Sequence, residues 1–314
     1  MPPTHLAEAA AASQNVMETK TAIGPSKLPA SRSLPVETAF GCPRNFLNNR
    51  FVYVAISPRA RGLSLGVNLN PDKRCNFDCV YCEVNRCLPS AEDHLEVKVM
   101  AVELVQTLAL VRGGQLREQT LYRELPADLL KLRQVALSGD GEPTLCPNFA
   151  EAVHAIMHVR ARSRLAFFKI VLITNATGLD LPEVQEGLKY FTAQDEVWAK
   201  LDGGTQAYLD SLNHSRVPLE KIMANILLLA RRRPVVIQSL FPSLNGREPA
   251  AAEIEQYAQR LKELKEAGAQ ISLVQIYSAT RPTPHSECGP LPLRSLSRIA
   301  QQVRAVTGLK AEVF

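Results

Sequence analysis

The sequence has 314 residues, of which 46% are hydrophobic and 21% are charged, with a formal net charge of +5 at pH 7. This is enough for one large α/β domain or two small ones, with a substantial buried core. No segment approaches the roughly 20 consecutive apolar residues that span a bilayer, and the apolar run at residues 7–12 is too short for a secretory signal. We therefore expect a soluble, cytoplasmic protein without a membrane partner.

Composition also bears on partners and on redox chemistry. The mild positive charge permits a nucleic-acid partner without requiring one, since a binding surface is normally a clustered basic face. Residues 160–164 and 231–233 are rich in arginine and could form such patches, but we interpret them as solvated helix ends. The seven cysteines, an odd number in a chain without a secretory signal, disfavour a disulfide framework and favour metal binding or thiol chemistry.

The chain begins with residues 1–38, which are rich in Ala, Ser, Pro and Thr and hold no period for long. We predict a flexible leader there, with one short helix at residues 6–18. The globular domain is predicted to occupy residues 39–314, with its core at about residues 57–280.

Strand and helix patterns then alternate six times. Apolar runs rich in Val, Ile and Leu predict strands buried on both faces of a parallel sheet, at residues 63–69, 134–137, 169–174, 196–201, 234–240 and 271–276. Helical patterns are found at residues 92–111, 148–162, 182–190, 206–212, 219–231, 250–267 and 295–306. The alternation predicts an α/β fold, either a (β/α)6 open barrel or a doubly wound sheet. In both folds, chemistry belongs at the carboxyl ends of the strands.

Three cysteines, Cys75, Cys79 and Cys82, directly follow the first predicted strand with the spacing C-x3-C-x2-C. Iron–sulfur clusters are held by thiolates, and three ligands for four irons leave one iron without a protein ligand. An open coordination position is what a catalytic metal requires. The alternative is a zinc site with Cys87 as the fourth ligand, although zinc ribbons normally pair two C-x2-C units and no second unit is present.

The cysteine loop, with Tyr81 as the aromatic residue before its last cysteine, resembles the cluster-binding loop of the radical S-adenosylmethionine (SAM) superfamily. The run from residue 57 to residue 82 is similar to a narrower group, the iron–sulfur oxidoreductases related to wyosine-forming tRNA modification enzymes. The likeness covers about residues 57–280 and implies a partial (β/α)6 barrel with a [4Fe-4S] cluster at its mouth.

The same resemblance implies a mechanism and a partner. SAM would chelate the free iron, and an external electron donor of the flavodoxin or ferredoxin type would supply an electron. Cleavage of SAM would give methionine and a 5′-deoxyadenosyl radical, which abstracts hydrogen from a substrate that the sequence does not identify. The cofactor carries the hard chemistry, and the protein supplies placement and exclusion of water.

A second motif, Gly139-Asp140-Gly141-Glu142, follows the second predicted strand. Its glycines let the backbone approach a ligand closely, and Glu142 offers a carboxylate to an ammonium group. It resembles the family's Gly-Gly-Glu motif, which holds the methionine amino group, with Asp140 where the family often has another small residue. A tight surface turn is the alternative interpretation of these residues.

Polar residues at strand ends complete the predicted SAM site. Thr174 and Asn175 close the third predicted strand, and Lys200 and Asp202 close the fourth, where side chains can reach the ribose of a ligand across the barrel mouth. Turn chemistry is the alternative for Asn175 and Asp202. Gln238 lies inside an apolar run, so either SAM or a buried hydrogen-bond network must satisfy it.

Other residues leave the substrate open. Cys42, Cys87, Cys146 and Cys288 could form an auxiliary cluster or be buried thiols. Wyosine-forming enzymes carry a second cluster on cysteines upstream of the first, and only Cys42 lies upstream here. RNA is a permitted partner, with candidate contacts at Arg44, Arg50, Arg59 and Arg61. A non-enzymatic metal-binding module is the alternative from another class of function.

The segment at residues 277–290 follows the sixth predicted strand and should emerge at the same rim as the cysteines. Arg281 is the predicted anchor in this segment for an anionic group of a substrate. The alternative interpretation is a rigid connector to the last helix.

Overall fold

The computed structural model describes residues 38–40, 46–90, 92–281 and 285–314. The flexible leader predicted for residues 1–38, with its helix at residues 6–18, lies outside these ranges except for its last position. The described residues fall in the compact unit Val36–Phe314. Across them, no helix is both long and apolar enough to cross a membrane.

Strands and helices alternate along the described chain. In order, they are β1 (Val52–Ser57), β2 (Gly62–Val67), α1 (Val97–Arg112), β3 (Leu132–Leu137), α2 (Phe149–Arg162), β4 (Lys169–Thr174), α3 (Pro182–Leu188), β5 (Glu196–Lys200), α4 (Gln206–Asn213), α5 (Leu219–Ala230), β6 (Val235–Leu240), β7 (Ser243–Leu244), α6 (Ala251–Glu266), β8 (Ile271–Tyr277), β9 (Cys288–Gly289), α7 (Leu293–Thr307) and β10 (Ala311–Val313). All six predicted strands are present, as β2 to β6 and β8. The sequence analysis missed β1, β7, β9 and β10.

The main difference among the helices is the start of α1, which was predicted at residue 92 and begins at Val97. Arg50, which precedes β1, forms ion pairs with Glu92 at 2.5 Å and with Glu96 at 2.6 Å. These contacts hold residues 92–96 beside the start of β1, so the helix begins only after them.

The main sheet is a curved, open barrel. Its strands pair in the order β1-β2-β3-β4-β5-β6-β8-β10, with β1 antiparallel to β2 and every other neighbouring pair parallel. An ion pair of 3.0 Å joins Arg61, in the turn between β1 and β2, to Glu312 of β10, so the two edges of the sheet approach each other. The predicted partial (β/α)6 barrel is confirmed.

Side chains alternate between the helix layer and the barrel interior, as the pleat of a strand requires. On β5, Val197 and Ala199 join the large core under the helices, whereas Trp198 joins a separate apolar cluster with Val171 and Val236. This interior cluster fills the barrel below the rim formed by the carboxyl ends of β2 to β6 and β8. Loops that follow these strands therefore converge at one rim.

Tyr53 of β1 lies across the inner face of β2 and reaches the loop after β3. A β-carbon at Gly66 would overlap the Tyr53 ring, so only glycine leaves room for it. The Tyr53 hydroxyl lies 2.9 Å from Ser138 Oγ, immediately before the Gly139-Asp140-Gly141-Glu142 motif. Packing on the antiparallel edge strand thus helps to position a predicted site loop.

We expect Gly66→Ala to lower the free energy of unfolding by about 1–3 kcal/mol, because the new methyl group overpacks a filled interior. Adding Tyr53→Ala should remove most of that clash. A double-mutant cycle on chemical denaturation should therefore give a coupling of about 1 kcal/mol or more between the two positions. Strictly additive losses would show that Gly66 and Tyr53 do not depend on each other.

Candidate functional site

The cysteine loop is fastened to the end of α4 by backbone hydrogen bonds. The Asp78 N–H donates to the Asn213 carbonyl and the Val80 N–H to the Leu212 carbonyl, each at 2.8 Å. Phe77 and Val80 are buried, which anchors the loop by apolar packing as well. The loop lies across the rim rather than extending away from it.

A side-chain link ties the same loop to the end of β4. Asn76 donates to Thr177 Oγ1 and accepts from Asn175 Nδ2, both at 2.8 Å. Asn175 in turn accepts from the Thr177 N–H at 3.1 Å, which is the local turn that the sequence offered as an alternative. Asn175 therefore both shapes its own turn and holds the cysteine loop.

Each of the three predicted ligand sulfurs accepts a hydrogen bond from nitrogen. The Phe77 N–H donates to Cys75 Sγ at 3.4 Å, Asn213 Nδ2 to Cys79 Sγ at 3.0 Å, and Arg86 Nη1 to Cys82 Sγ at 3.4 Å. Burial raises the pKa of the Cys75 thiol to about 11 and that of the Cys79 thiol to about 12. Metal binding must therefore release protons from these thiols, a cost that coordination to iron would offset.

The donor set fits an iron–sulfur cluster better than a zinc ion. Cys87, the fourth ligand that a zinc site would need, is exposed. No group of three or more His, Cys, Asp or Glu side chains in the described ranges could hold a metal ion. A cubane instead spreads its ligands over separate irons. Three thiols that each accept an N–H hydrogen bond fit that geometry.

Asn213 connects the cysteine loop to β5, and the sequence analysis did not find it. It is fully buried, and its Nδ2 lies 3.0 Å from Cys79 Sγ, 2.9 Å from the Tyr81 hydroxyl and 3.2 Å from Asp202 Oδ2. The Tyr81 hydroxyl also donates to Asp202. Asn213 is the last residue of α4 and lies well beyond the end of β5, so the sequence holds no local signal for these contacts.

The two motif glycines bring the loop after β3 against the loop after β2. A β-carbon at Gly139 would overlap the Asn68 side chain, and one at Gly141 would overlap the Arg74 carbonyl. Asp140 accepts from Asn68 Nδ2 at 2.7 Å. The glycines thus permit close packing between two protein loops, whereas the sequence analysis explained them by the approach of a ligand.

Glu142 is buried at the centre of this rim. Its Oε1 accepts from the Thr144 N–H at 3.1 Å, the Thr144 hydroxyl at 2.6 Å and the Thr174 hydroxyl at 2.5 Å, and its Oε2 accepts from the Asn175 N–H at 2.7 Å. Burial raises the pKa of Glu142, although these hydrogen bonds oppose the rise. Since Oε2 has one donor and Oε1 has three, Oε2 is the oxygen with capacity for a ligand's ammonium group.

Lys200, which is partly buried, and Asp202, which is buried, form an ion pair at the end of β5. Lys200 Nζ lies 3.4 Å from Asp202 Oδ1, 3.2 Å from the Tyr277 hydroxyl and 4.7 Å from the centre of the Tyr81 ring. Burial alone would lower the pKa of Lys200, but Asp202 and Tyr277 raise it overall. Lys200 is therefore a cation at the rim, whereas the carboxylate of Asp202 is occupied by protein donors, including the Leu240 N–H at 2.9 Å.

Gln238 is satisfied by a buried neighbour. Its Nε2 donates to Gln275 Oε1 on the adjacent strand β8 at 3.1 Å. Of the two alternatives that the sequence left open, the structure contains the buried network.

The segment after β8 reaches the cysteine loop, as predicted, although residues 282–284 lie outside the described ranges. Arg281 Nη1 forms an ion pair of 2.8 Å with Oε2 of Glu83, the residue that follows Cys82. Arg281 is therefore at the predicted rim, but its guanidinium group binds a protein carboxylate there.

The candidate RNA contacts are largely engaged within the protein. Arg50 pairs with Glu92 and Glu96, Arg61 pairs with Glu312, and Arg59 stacks over the Tyr277 ring at 4.3 Å. Arg44 lies outside the described ranges.

The remaining cysteines differ in exposure, with Cys146 buried, Cys87 exposed and Cys288 half-buried in β9. Cys42 lies outside the described ranges.

Comparison with known proteins identifies the class. The sequence profile of the Radical SAM superfamily matches residues 69–253, more than half of the chain. The chain therefore belongs to the radical SAM superfamily, which implies an enzyme that works with SAM. The matched region includes the cysteine loop, the Glu142 motif and the ends of β4, β5 and β6.

Two relatives carry the same family description. The chain is 30% identical over 145 residues to a UPF0026 protein of Helicobacter pylori, covering 46% of this chain and 41% of that protein. It is 28% identical over 178 residues to a UPF0026 protein of Synechocystis, covering 56% of this chain and 57% of that protein. The chain thus spans about half the length of the curated relatives it matches.

Solved structures share the fold. TYW1 with a lysine-pyruvate adduct bound is 14% identical with a TM-score of 0.53, over 83% of this chain and 85% of that chain. Streptococcus suis SuiB bound to S-adenosylmethionine is 14% identical with a TM-score of 0.55, over 82% of this chain and 52% of that chain. The predicted membership of the radical SAM superfamily is thus confirmed by the sequence profile, and these structures confirm the fold.

We expect Asn213→Ala to weaken iron retention by about 10–100-fold, because outer-shell hydrogen bonds orient metal ligands. The measurement is iron release to a chelator from anaerobically reconstituted protein. Ser211→Ala, an exposed position on the same helix, is the matched control. Equal iron release from Asn213→Ala and wild type would remove the positioning role of Asn213.

Proposed function

We propose that the chain is a radical SAM enzyme in which Cys75, Cys79 and Cys82 hold a [4Fe-4S] cluster. The observation that carries the proposal is the three-thiol loop, which lies across the carboxyl ends of the strands. Each of its three sulfurs accepts a hydrogen bond from one N–H group. When bound, the cluster supplies the electron that cleaves SAM into methionine and a 5′-deoxyadenosyl radical, which abstracts a hydrogen from the substrate.

Two opposite charges at the rim suit the methionyl end of SAM. Glu142 offers a carboxylate oxygen to the ammonium group, and Lys200 offers a cation to the carboxylate. Charge-assisted hydrogen bonds of this kind are stronger than neutral ones. Thr174 and Asn175 support the ligand site by orienting Glu142, while Asp202 orients Tyr81 and Lys200.

The barrel interior excludes water from beneath this site. Trp198, Val171 and Val236 fill it with apolar side chains, each at most 4% exposed. A reactive organic radical needs such a dry surface, since contact with water and other groups permits side reactions.

An external electron donor of the flavodoxin or ferredoxin type remains part of the proposal. Arg74, whose side chain is 63% exposed, stands directly before Cys75, and Arg86 contacts Cys82. These cations suit an acidic redox partner, because complementary charges speed the association of two proteins.

The six described cysteines are thiols, which suits a reducing compartment such as the cytoplasm.

The ligand assignment predicts which cysteines the cluster requires and which it does not. Cys75→Ala, Cys79→Ala and Cys82→Ala should each abolish the visible absorbance and the iron content of the reconstituted protein, because each removes one thiolate from a set of three. Cys87→Ala should retain both, since Cys87 is exposed and outside the set. Complete loss of the cluster in Cys87→Ala would contradict the three-ligand site.

The role of Glu142 is best tested with Glu142→Gln, because Glu142→Ala would leave four buried donors without an acceptor. We expect the Gln variant to keep the cluster and to bind SAM about 10–100-fold more weakly, as the loss of a charged hydrogen bond implies. SAM affinity is measured on cluster-loaded protein by equilibrium dialysis. Thr144→Val, which removes one donor but leaves the carboxylate, should bind SAM nearly as wild type does. Unchanged affinity in Glu142→Gln would leave Glu142 with only the turn role.

A further inference from the structure

A second cavity lies at the end of the barrel opposite the cysteine loop. It has a volume of about 920 Å³ and is lined at the amino ends of strands by Arg133, Lys169, Glu196, Pro234 and Ser272. The loop between α3 and β5 and the end of α5 complete its wall. We call this cavity the floor cleft. Its volume is in the range of small-molecule sites.

The floor cleft carries more positive than negative charge. Its basic lining residues are Arg133, Lys169, Lys189, Arg232 and Arg233, and its acidic ones are Asp195 and Glu196. The acidic pair is already matched, since Lys169 lies 2.7 Å from Glu196, and Asp195 binds Arg160, which lies outside the lining. Lys189 pairs with Glu186.

Three arginines that line the cleft, Arg133, Arg232 and Arg233, therefore form no ion pair with a carboxylate in the described ranges. Arg233 Nη2 is fixed by the carbonyls of Thr192 at 2.9 Å and Asp195 at 2.6 Å. Arg232 Nη1 is held by Gln185 Oε1 at 3.2 Å. The Arg233 side chain is thus held in place before any ligand arrives, which lowers the entropic cost of binding.

Apolar groups line the same cleft. Phe167 is 59% exposed, which is unusual for a large aromatic side chain, and Leu188, Phe191 and Leu229 border it. Burial lowers the pKa of Arg233, although the nearby Asp195 carboxylate opposes the fall. An anion placed here would regain that lost stabilisation.

We propose that the floor cleft binds a phosphorylated small molecule with an aromatic or apolar portion, of the size and charge of a nucleoside polyphosphate. Arginine is the side chain best suited to phosphate, because its planar fork donates two parallel hydrogen bonds. Three arginines without an ion pair suit a ligand with two to four negative charges, and Phe167 offers a surface for a ring. SAM fits poorly there, since it carries a sulfonium and no phosphate.

The chain contains an intrinsic fluorescent probe for the floor cleft. Trp198 is the single tryptophan, and its Nε1 donates to Glu196 Oε2 at 2.7 Å. Lys169 Nζ lies 5.6 Å from the Trp198 ring centre. Because Glu196 and Lys169 both line the floor cleft, a bound anion should change the fluorescence of Trp198.

The experiment titrates the full chain with ATP, with adenosine and SAM as comparison ligands, by tryptophan fluorescence and calorimetry. We expect ATP to bind with a dissociation constant below about 1 mM, adenosine to give no response, and SAM not to compete. Arg232→Ala and Arg133→Ala should each weaken ATP binding about tenfold. Arg233→Lys keeps the charge but loses the fork, so it should weaken binding while the protein stays folded.

Arg231→Ala is the matched control, because Arg231 is adjacent in sequence, exposed and bonded to the Ala267 carbonyl at 3.0 Å, but does not line the cleft. Any of four results would overturn the proposal: no response to about 5 mM ATP, equal weakening by Arg231→Ala, competition by SAM, or binding of single-stranded RNA without ATP binding. Cluster content and SAM affinity measured on the same preparation test the proposed function separately, so the two ideas can fail independently.

Discussion

The candidate site depends on how the loop after β2 is fastened to the ends of β4 and β5. Two backbone hydrogen bonds hold it to the last residues of α4. The buried side-chain amide of Asn213 also contacts Cys79, Tyr81 and Asp202. Because a buried amide that loses its partners costs free energy, these contacts fix one arrangement of the loop. That arrangement of the loop determines the positions of the three thiols.

The loop after β3 is placed by a different constraint, close backbone packing. Gly139 and Gly141 allow it to contact Asn68 and the Arg74 carbonyl, so Glu142 lies under the rim and accepts hydrogen bonds from Thr174 and Asn175 at the end of β4. Glu142, in the loop after β3, and Lys200, at the end of β5, are thus opposite charges held at the same rim before any ligand is present. Such preorganisation is what a cofactor site requires, since the protein need not rearrange to bind.

Much of this could be predicted from the sequence, and the exceptions have physical reasons. Long runs of Val, Ile and Leu predicted the six parallel strands, whereas β10 has only three residues and β1 pairs antiparallel at an edge. The sequence also placed the three cysteines and the Glu142 motif after the first and second predicted strands, and the structure brings both loops to one rim. Asn213 was missed because it lies 134 residues from Cys79, and no local pattern reports such a contact. Gln238 and Arg281 were predicted as ligand contacts or anchors, but each has a protein partner that only the fold brings near.

The most direct test of the central claim is the product formed from SAM by the reduced, anaerobically reconstituted chain. A three-thiolate cluster with an open iron predicts 5′-deoxyadenosine and methionine in equal amounts, detected by mass spectrometry and absent when reductant or iron is omitted. A chain that binds iron stoichiometrically and is reduced, yet leaves SAM intact, would contradict the assignment of this rim as a radical SAM site.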